Sequence, residues 1–354
     1  MPSISARTRI LAECIRAAQP IPRANRAGAD GFAVAASATV GASSYNPLPL
    51  PLQPVSAGEA MPPGTDAVIP IDLAQSRPSA VVECVEPVAP GENVEAAGSV
   101  ASAGAKLADA GAPLSPAHIG LLVGAGLADV MVVRRPEVRI IAAPGSAATD
   151  SNGPMCSALV RRDGGVVLAN VAAERSPRAI RDALEMAGAD IVLVIGGTGP
   201  GGDDYATAAL AEAGNLAIHG VALQPGETIG LGHTSGRIPV ILLPGSPAAC
   251  FVAYEMLAGR AVRRLGGRDT ALPYRAHTME AARKIVSAIG MAEICPVRRA
   301  SQDAVEPLPS FGEIGLMAAV GADGFVIVPE RREGYPQGAP LTVYLYDHGS
   351  CIGE

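Results

Sequence analysis

The sequence predicts a multidomain α/β protein built on a doubly wound, mainly parallel sheet, and three observations carry that prediction. The stretch from Asp190 to Tyr205, DIVLVIGGTGPGGDDY, runs five apolar residues into a glycine-rich loop. A strand–loop–helix cadence repeats over residues 135–265. The composition is 49% hydrophobic but only 3% aromatic, with no Trp, so Ala, Val and Gly must fill the interior and helices must approach the sheet closely.

Ile191–Ile195 is a short, continuous apolar run bounded by glycines, which suits a strand buried on both faces of a parallel sheet. Gly196, Gly197 and Gly199 let backbone approach a ligand where a Cβ would obstruct it, with Thr198 as the polar member of the loop. ATAALAEAG, which follows, has good helix formers and no breaker before Gly214, so a helix N-terminus faces the same loop. The stretch has the makings of an anion or polyphosphate cradle; a tight strand-to-helix turn without a ligand is the alternative.

Earlier in the chain, the spacing of Ile4, Ile10, Leu11 and Ile15 predicts a short amphipathic helix over 4–18, ended by Pro20 and Pro22. Asp30 precedes Gly31 and a strand-like GFAVAAS, and as sequence pattern it reads as a turn residue. Residues 40–105, dense in Pro, Gly and Val, predict a small, mainly β domain. Ser115-Pro116 predicts a capped helix start, followed by a helix, a glycine-marked stop and a strand. Within the α/β segment VRIIAAPG, VVLANVA, IVLVIGG and PVILLPG are strands, and PGSAATDSN, GGTGPGGDD and PGSP are loops at strand ends, where such sheets bind ligands. From about Tyr274, short runs such as AEICPVRRA, GFVIVPE and LTVYLY predict a C-terminal β barrel or sandwich.

The totals narrow the function. A chain of 354 residues should form two to four domains. A net charge of −7 without a basic block argues against nucleic-acid binding. The six cysteines show no CxxC pairing and the five histidines no helical ligand spacing, which predicts buried reduced thiols and no His/Cys metal site. Charges at Arg7, Arg9, Glu13 and Arg16 interrupt any signal-peptide core, and no apolar run is long enough for a bilayer, so a cytoplasmic protein is expected. Gly197, Gly199 and Gly202 satisfy GxGxxG, but the match falls away from the first strand of the cadence and lacks the acid about twenty residues on that a dinucleotide site needs.

Taken together, the loops resemble the molybdopterin molybdenumtransferase family, which includes the C-terminal domain of gephyrin. RAGADGFAV (26–34), AGEAMPPGTDAVIP (57–70), TDSNGPMCSAL (149–159), GGTGPGGDDY (196–205), HGVALQPGETIGLG (219–232), LLPGSPAAC (242–250) and SFGEIGLMAAVGADGFVIVPE (310–330) follow the family's motifs in order. The resemblance implies four domains: an elongated linker domain from 1–25 and 106–134, a small mainly β domain over 26–105, an α/β molybdopterin-binding domain over 135–270 and a C-terminal β-barrel-like domain over 271–354. It implies insertion of molybdate into adenylylated molybdopterin with release of AMP, the alternative being a catalytically degenerate paralogue that binds the pterin, the finished cofactor or a partner protein as carrier or scaffold. It implies Mg²⁺ held by Asp30 and Asp204 as catalytic acids. Substrate is implied at Asp150, Ser151, Asn152, Gly196, Gly197, Thr198, Gly199, Gln224, Pro225, Gly226, Pro244, Gly245, Ser246 and Pro247. A homodimer is implied, its cleft shared between subunits so that Asp30 nears the partner's site.

The chain also departs from the family pattern. Gln224 and Glu227 stand where the family has lysines on either side of Pro-Gly, Gly202 replaces a glutamate, Glu95 stands where an arginine is common, and PGSAATD lacks an acid. Charge-assisted hydrogen bonds contribute about 1.5–3 kcal/mol each, so the lost lysines matter to any phosphate ligand.

Overall fold

The computed structural model describes residues 9–51, 53–77, 81–143 and 150–346, and the chain forms two compact units that meet in sequence at Val133 and Arg134.

In the N-terminal unit the predicted helix over 4–18 is not formed by its described residues; residues 4–8 lie outside them. The segment is extended instead. Ile10 and Leu11 bridge to Pro113 and Val132, and Ile15–Arg16 pairs antiparallel with Lys106–Ala108. Ile15 and Ala17 are buried while Cys14 and Arg16 are exposed, the two-residue alternation of a half-buried strand. With so few apolar residues, helical and extended spacing could not be told apart. The helix Pro116–Gly124 forms as predicted: Ser115 Oγ accepts from the His118 N–H, and the His118 ring accepts in return from the Ser115 N–H. The strand expected after it reduces to isolated bridge residues at Asp129 and Val132. These pieces enclose Leu11, Ile15, Ala108, Leu114, Leu122 and Val130.

The described residues of 26–105 form short antiparallel sheets, as the turn-rich composition of 40–105 predicts. Gly31–Val34 lies between Pro54–Val55 and Ala67–Pro70 and is buried on both faces, with Phe32 and Val34 in one core and Ala33 in another. Glu95, the residue where the family favours arginine, pairs with Arg26 at 2.6 Å across a two-stranded ladder.

The second unit carries the predicted sheet. Its strands run in the order Val166–Ala172, Glu137–Ala142, Ile191–Ile195, Pro239–Leu243, Gly230–Thr234, Gly214–His219; the first four are parallel and the last two antiparallel. Ile191, Leu193 and Ile195 face a core with the helices Asn152–Arg162 and Pro247–Ala253, while Val192 and Val194 face the helices Pro177–Leu184 and Ala206–Ala213. Helices therefore cover both faces, and the alternation along one apolar run serves both. Cys156 and Cys250, remote in sequence, meet at 3.6 Å between sulfurs as free thiols; the hydrogen bond between them and burial push Cys250 well above the ordinary thiol range.

The C-terminal strands close into a five-stranded barrel: Arg275–Ala281, Ala304–Pro307, Ala292–Arg299, Gly324–Val328 and Pro340–Leu345, the last pairing back to the first. Closure removes the free edges that a sandwich of such short strands would leave. Leu223–Gln224 adds parallel to Ala292–Glu293 and so attaches the α/β layer to the barrel.

Beneath the sheet lies a buried ion network. Arg162 grips Glu255 through both Nη atoms, at 2.6 and 3.0 Å, and Tyr274 donates to the same carboxylate. Asp163, 1% exposed, meets Arg162 at 3.1 Å and Arg263 at 3.0 Å. Burial opposes the Arg162 charge, but its bonds to Glu255 and Asp163 raise its pKa above the ordinary guanidinium value. Breaking one partner of a buried pair strands the other charge, so Asp163→Ala should lower the unfolding free energy by about 3–5 kcal/mol in urea titrations.

Candidate functional site

The parallel ladder holds Ala142 opposite Ile195, and Ile195 opposite Leu243. Ladder bonds continue one residue further, from Ala143 N–H to Ile195 O and from Gly196 N–H to Leu243 O. Three connections consequently leave the sheet at one level, and the chain must turn there into three helices.

The turns are built differently. Gly196 takes φ +86°, a left-handed backbone that favours glycine, and a Cβ there would lie 3.0 Å from the Ala143 carbonyl oxygen. Asp150 Oδ1 accepts the Gly153 N–H at 2.9 Å, satisfying one of the amides at the start of Asn152–Arg162. Pro247 occupies the first turn of Pro247–Ala253, where its missing N–H costs nothing. Asn152 Nδ2 donates to Gly245 O at 2.9 Å and ties the first connection to the third. Thr198 is held by two neighbours: its carbonyl meets His219 Nε2 and its hydroxyl meets the Thr228 hydroxyl, each at 2.9 Å.

Together these turns enclose a cleft of about 520 Å³, within the usual range for small-molecule sites. Asp150, Ser151, Asn152, Gly196, Gly197, Thr198, Gly199, Asp204, Pro244, Gly245, Ser246 and Pro247, all singled out from sequence, line it. The loop PGSAATD falls on residues 144–150, of which 144–149 lie outside those described.

Gln224, Pro225 and Gly226 do not line the cleft. Gln224 belongs to the short strand beside Ala292–Glu293, and Gly226 packs against Leu223 and Ile229. Pairing with the barrel draws this half of the turn away, and Glu227 and Thr228 face the cleft instead. The Glu227 carboxylate accepts its neighbour's N–H from Gly226 at 3.0 Å. Asp30 lies in the N-terminal unit, exposed, and accepts the Ala57 N–H at 2.7 Å. That bond reaches 27 residues along the chain, so it is not the local bond of a turn aspartate; it ties the bend at Asp30 to the turn after Pro54–Val55.

Sequence reasoning missed Arg175. It lies between the strand Val166–Ala172 and the Ser176 cap of Pro177–Leu184, lines the cleft, and meets Asp204 Oδ1 at 3.0 Å. The signal was present: a fourth parallel strand also ends at this rim, and an arginine follows it. Arg162 is committed to the ion network, and Arg237 occupies a turn at φ +65°. Asn152 carries a further mark of function: it is 8% exposed, and among the described residues its Oδ1 has no hydrogen-bond partner.

Asp204, one of the two acids that the resemblance implies for Mg²⁺, is engaged within this chain. One oxygen of Asp204 takes Arg175 and the other accepts the Gly201 N–H at 3.0 Å. Among the described residues no three His, Cys, Asp or Glu side chains gather as a metal site.

Three family models match the chain in sequence order. They are the MoeA N-terminal region (domain I and II) over residues 1–126, the probable molybdopterin binding domain over 141–264, and the MoeA C-terminal region (domain IV) over 278–346. A Methanocaldococcus jannaschii protein named for molybdopterin biosynthesis is 27% identical over 97% of this chain and 90% of its own. Molybdopterin molybdenumtransferase 2 of Mycobacterium tuberculosis is 28% identical over 78% of this chain and 82% of its own. The crystal structure of a molybdopterin biosynthesis MoeA protein from Pyrococcus horikoshii superposes with a TM-score of 0.79 at 25% identity, over 98% of this chain and 93% of that one. The chain belongs to the MoeA family.

Gly196→Ala forces a side chain into the left-handed region and against Ala143. It should reduce the unfolding free energy by about 1–2 kcal/mol, read from the urea midpoint.

Proposed function

We propose that this cleft takes the phosphorylated pterin of molybdenum cofactor biosynthesis and that the chain inserts molybdate into adenylylated molybdopterin with release of AMP. The observation that carries this reading is the common level of Ala142, Ile195 and Leu243, which aims three strand-to-helix turns at one space. Helix N-termini and glycine backbone suit a phosphate, and Ser151, Thr198, Thr228 and Ser246 supply hydroxyls for the polar parts of a pterin. The buried Asn152 Oδ1 calls for a ligand donor such as a pterin N–H. Asp204 accepts one bond on each oxygen, from Arg175 and from the Gly201 N–H, and is thereby held at the rim of the cleft.

The names of the relatives support the general role in cofactor biosynthesis. The four-domain division, the cytoplasmic compartment and a homodimer belong to the same proposal, and among the described residues no helix is long and apolar enough to cross a membrane. Gln224 and Glu227, in place of lysines, favour a second reading, a paralogue that binds pterin or finished cofactor and passes it on without chemistry.

Purified chain incubated with adenylylated molybdopterin and molybdate should release AMP and form cofactor, with light scattering giving twice the 35.7 kDa of one chain. Tight pterin binding without AMP release would establish the carrier reading, and absence of pterin binding would reject both.

A further inference from the structure

Among the described residues lining the cleft, Arg175 is the one Lys or Arg side chain. The three lining acids are all engaged: Asp150 with the Gly153 N–H, Glu227 with the Gly226 N–H, and Asp204 with the Gly201 N–H and Arg175. Asp204 is folded into its own glycine loop so closely that a Cβ on Gly199 would lie 2.7 Å from Oδ2. Its side chain is 16% exposed, whereas that of Arg175 is 37% exposed. The carboxylate is thus the held partner, and the guanidinium is the side exposed to whatever enters. Arg175 spends one Nη on this bond, and a guanidinium has five N–H donors in a planar fork matched to phosphate oxygens.

The geometry points to Arg175 as the residue that reads the ligand's phosphate, with Asp204 as its positioning residue, so that the phosphate binds here without a divalent metal. A metal ion at Asp204 would sit beside the guanidinium, like charge against like. An incoming oxyanion can add to the remaining donors of the guanidinium fork, the Asp204 charge being held against Arg175 and the Gly201 N–H. Arg175 also stands directly before the Ser176 cap, whose Oγ accepts the Ala179 N–H at 3.2 Å, so its backbone is fixed by the following helix. The arrangement restores, from a different connection, a cation that Gln224 and Glu227 no longer provide. This inference rests on the reading of the cleft as a phosphopterin site.

The test uses inorganic pyrophosphate as probe and the full chain, by calorimetry in EDTA. The wild type should bind; Arg175→Ala should weaken binding about 10–100-fold, the equivalent of one lost charge-assisted contact, and Arg175→Lys should recover part of it. Asp204→Asn, which keeps the guanidinium but loosens its hold, should weaken binding by less than Arg175→Ala, and the binding that remains should persist in EDTA. Circular dichroism shows whether each variant is folded. Three results would overturn the inference: no binding in EDTA, binding indifferent to Arg175→Ala, or binding that appears only with added Mn²⁺ and is lost in Asp204→Asn. The last leaves the phosphopterin reading intact. Failure of pterin binding with pyrophosphate still read by Arg175 would remove that reading alone.

Discussion

The site depends on hydrogen-bond register in one parallel sheet. Ala142, Ile195 and Leu243 lie side by side because parallel ladders bond evenly along their length, and the three strands can slip relative to one another only by burying the wrong face. Ile191, Val192, Leu193 and Val194 have no exposed surface, so a one-residue slip of this central strand would exchange the partners of two cores at once. Register is therefore held by apolar packing on both sides, and the level rim follows from it.

The helices that leave this rim are also held at their far ends. Asn152–Arg162 starts at the cleft and ends with Arg162 in the buried ion network. The helical segment that begins at Pro247 reaches the same network through Glu255 and Arg263. Between them the chain passes through a π turn at Tyr254–Ala258, which places the Glu255 carboxylate toward Arg162 and Tyr274. Basic residues at helix C-termini complement the macrodipole, and here they also meet carboxylates out of solvent. The cleft is shaped at one end of these helices and braced at the other.

Charge in the cleft is handled locally. A chain of net charge −7 can still receive a phosphate if its own acids are turned toward backbone amides, as Asp150 and Glu227 are. Glu227, which stands where a lysine is usual, accepts the Gly226 N–H, and Gln224 pairs with a barrel strand. Arg26 beside Glu95 shows the same habit in the N-terminal unit: a departure from the family pattern has a partner of opposite charge.

The sequence by itself determined the sheet strands, the capped helices and the glycine loops, because these rest on local pattern: an apolar run of five, Ser-Pro before a helix, glycine where φ is positive. It also determined which loops meet, since parallel strands joined by helices must end at one edge. It misread 9–18, where a handful of apolar residues fits two periods and only pairing with Lys106–Ala108 decides for strand. Tertiary structure alone decided that Cys156 approaches Cys250, that Gln224 joins the barrel, and that Arg175 rather than Arg162 faces the cleft. Each depends on contacts between residues remote in sequence, and a long side chain's direction is set by the partner it finds there.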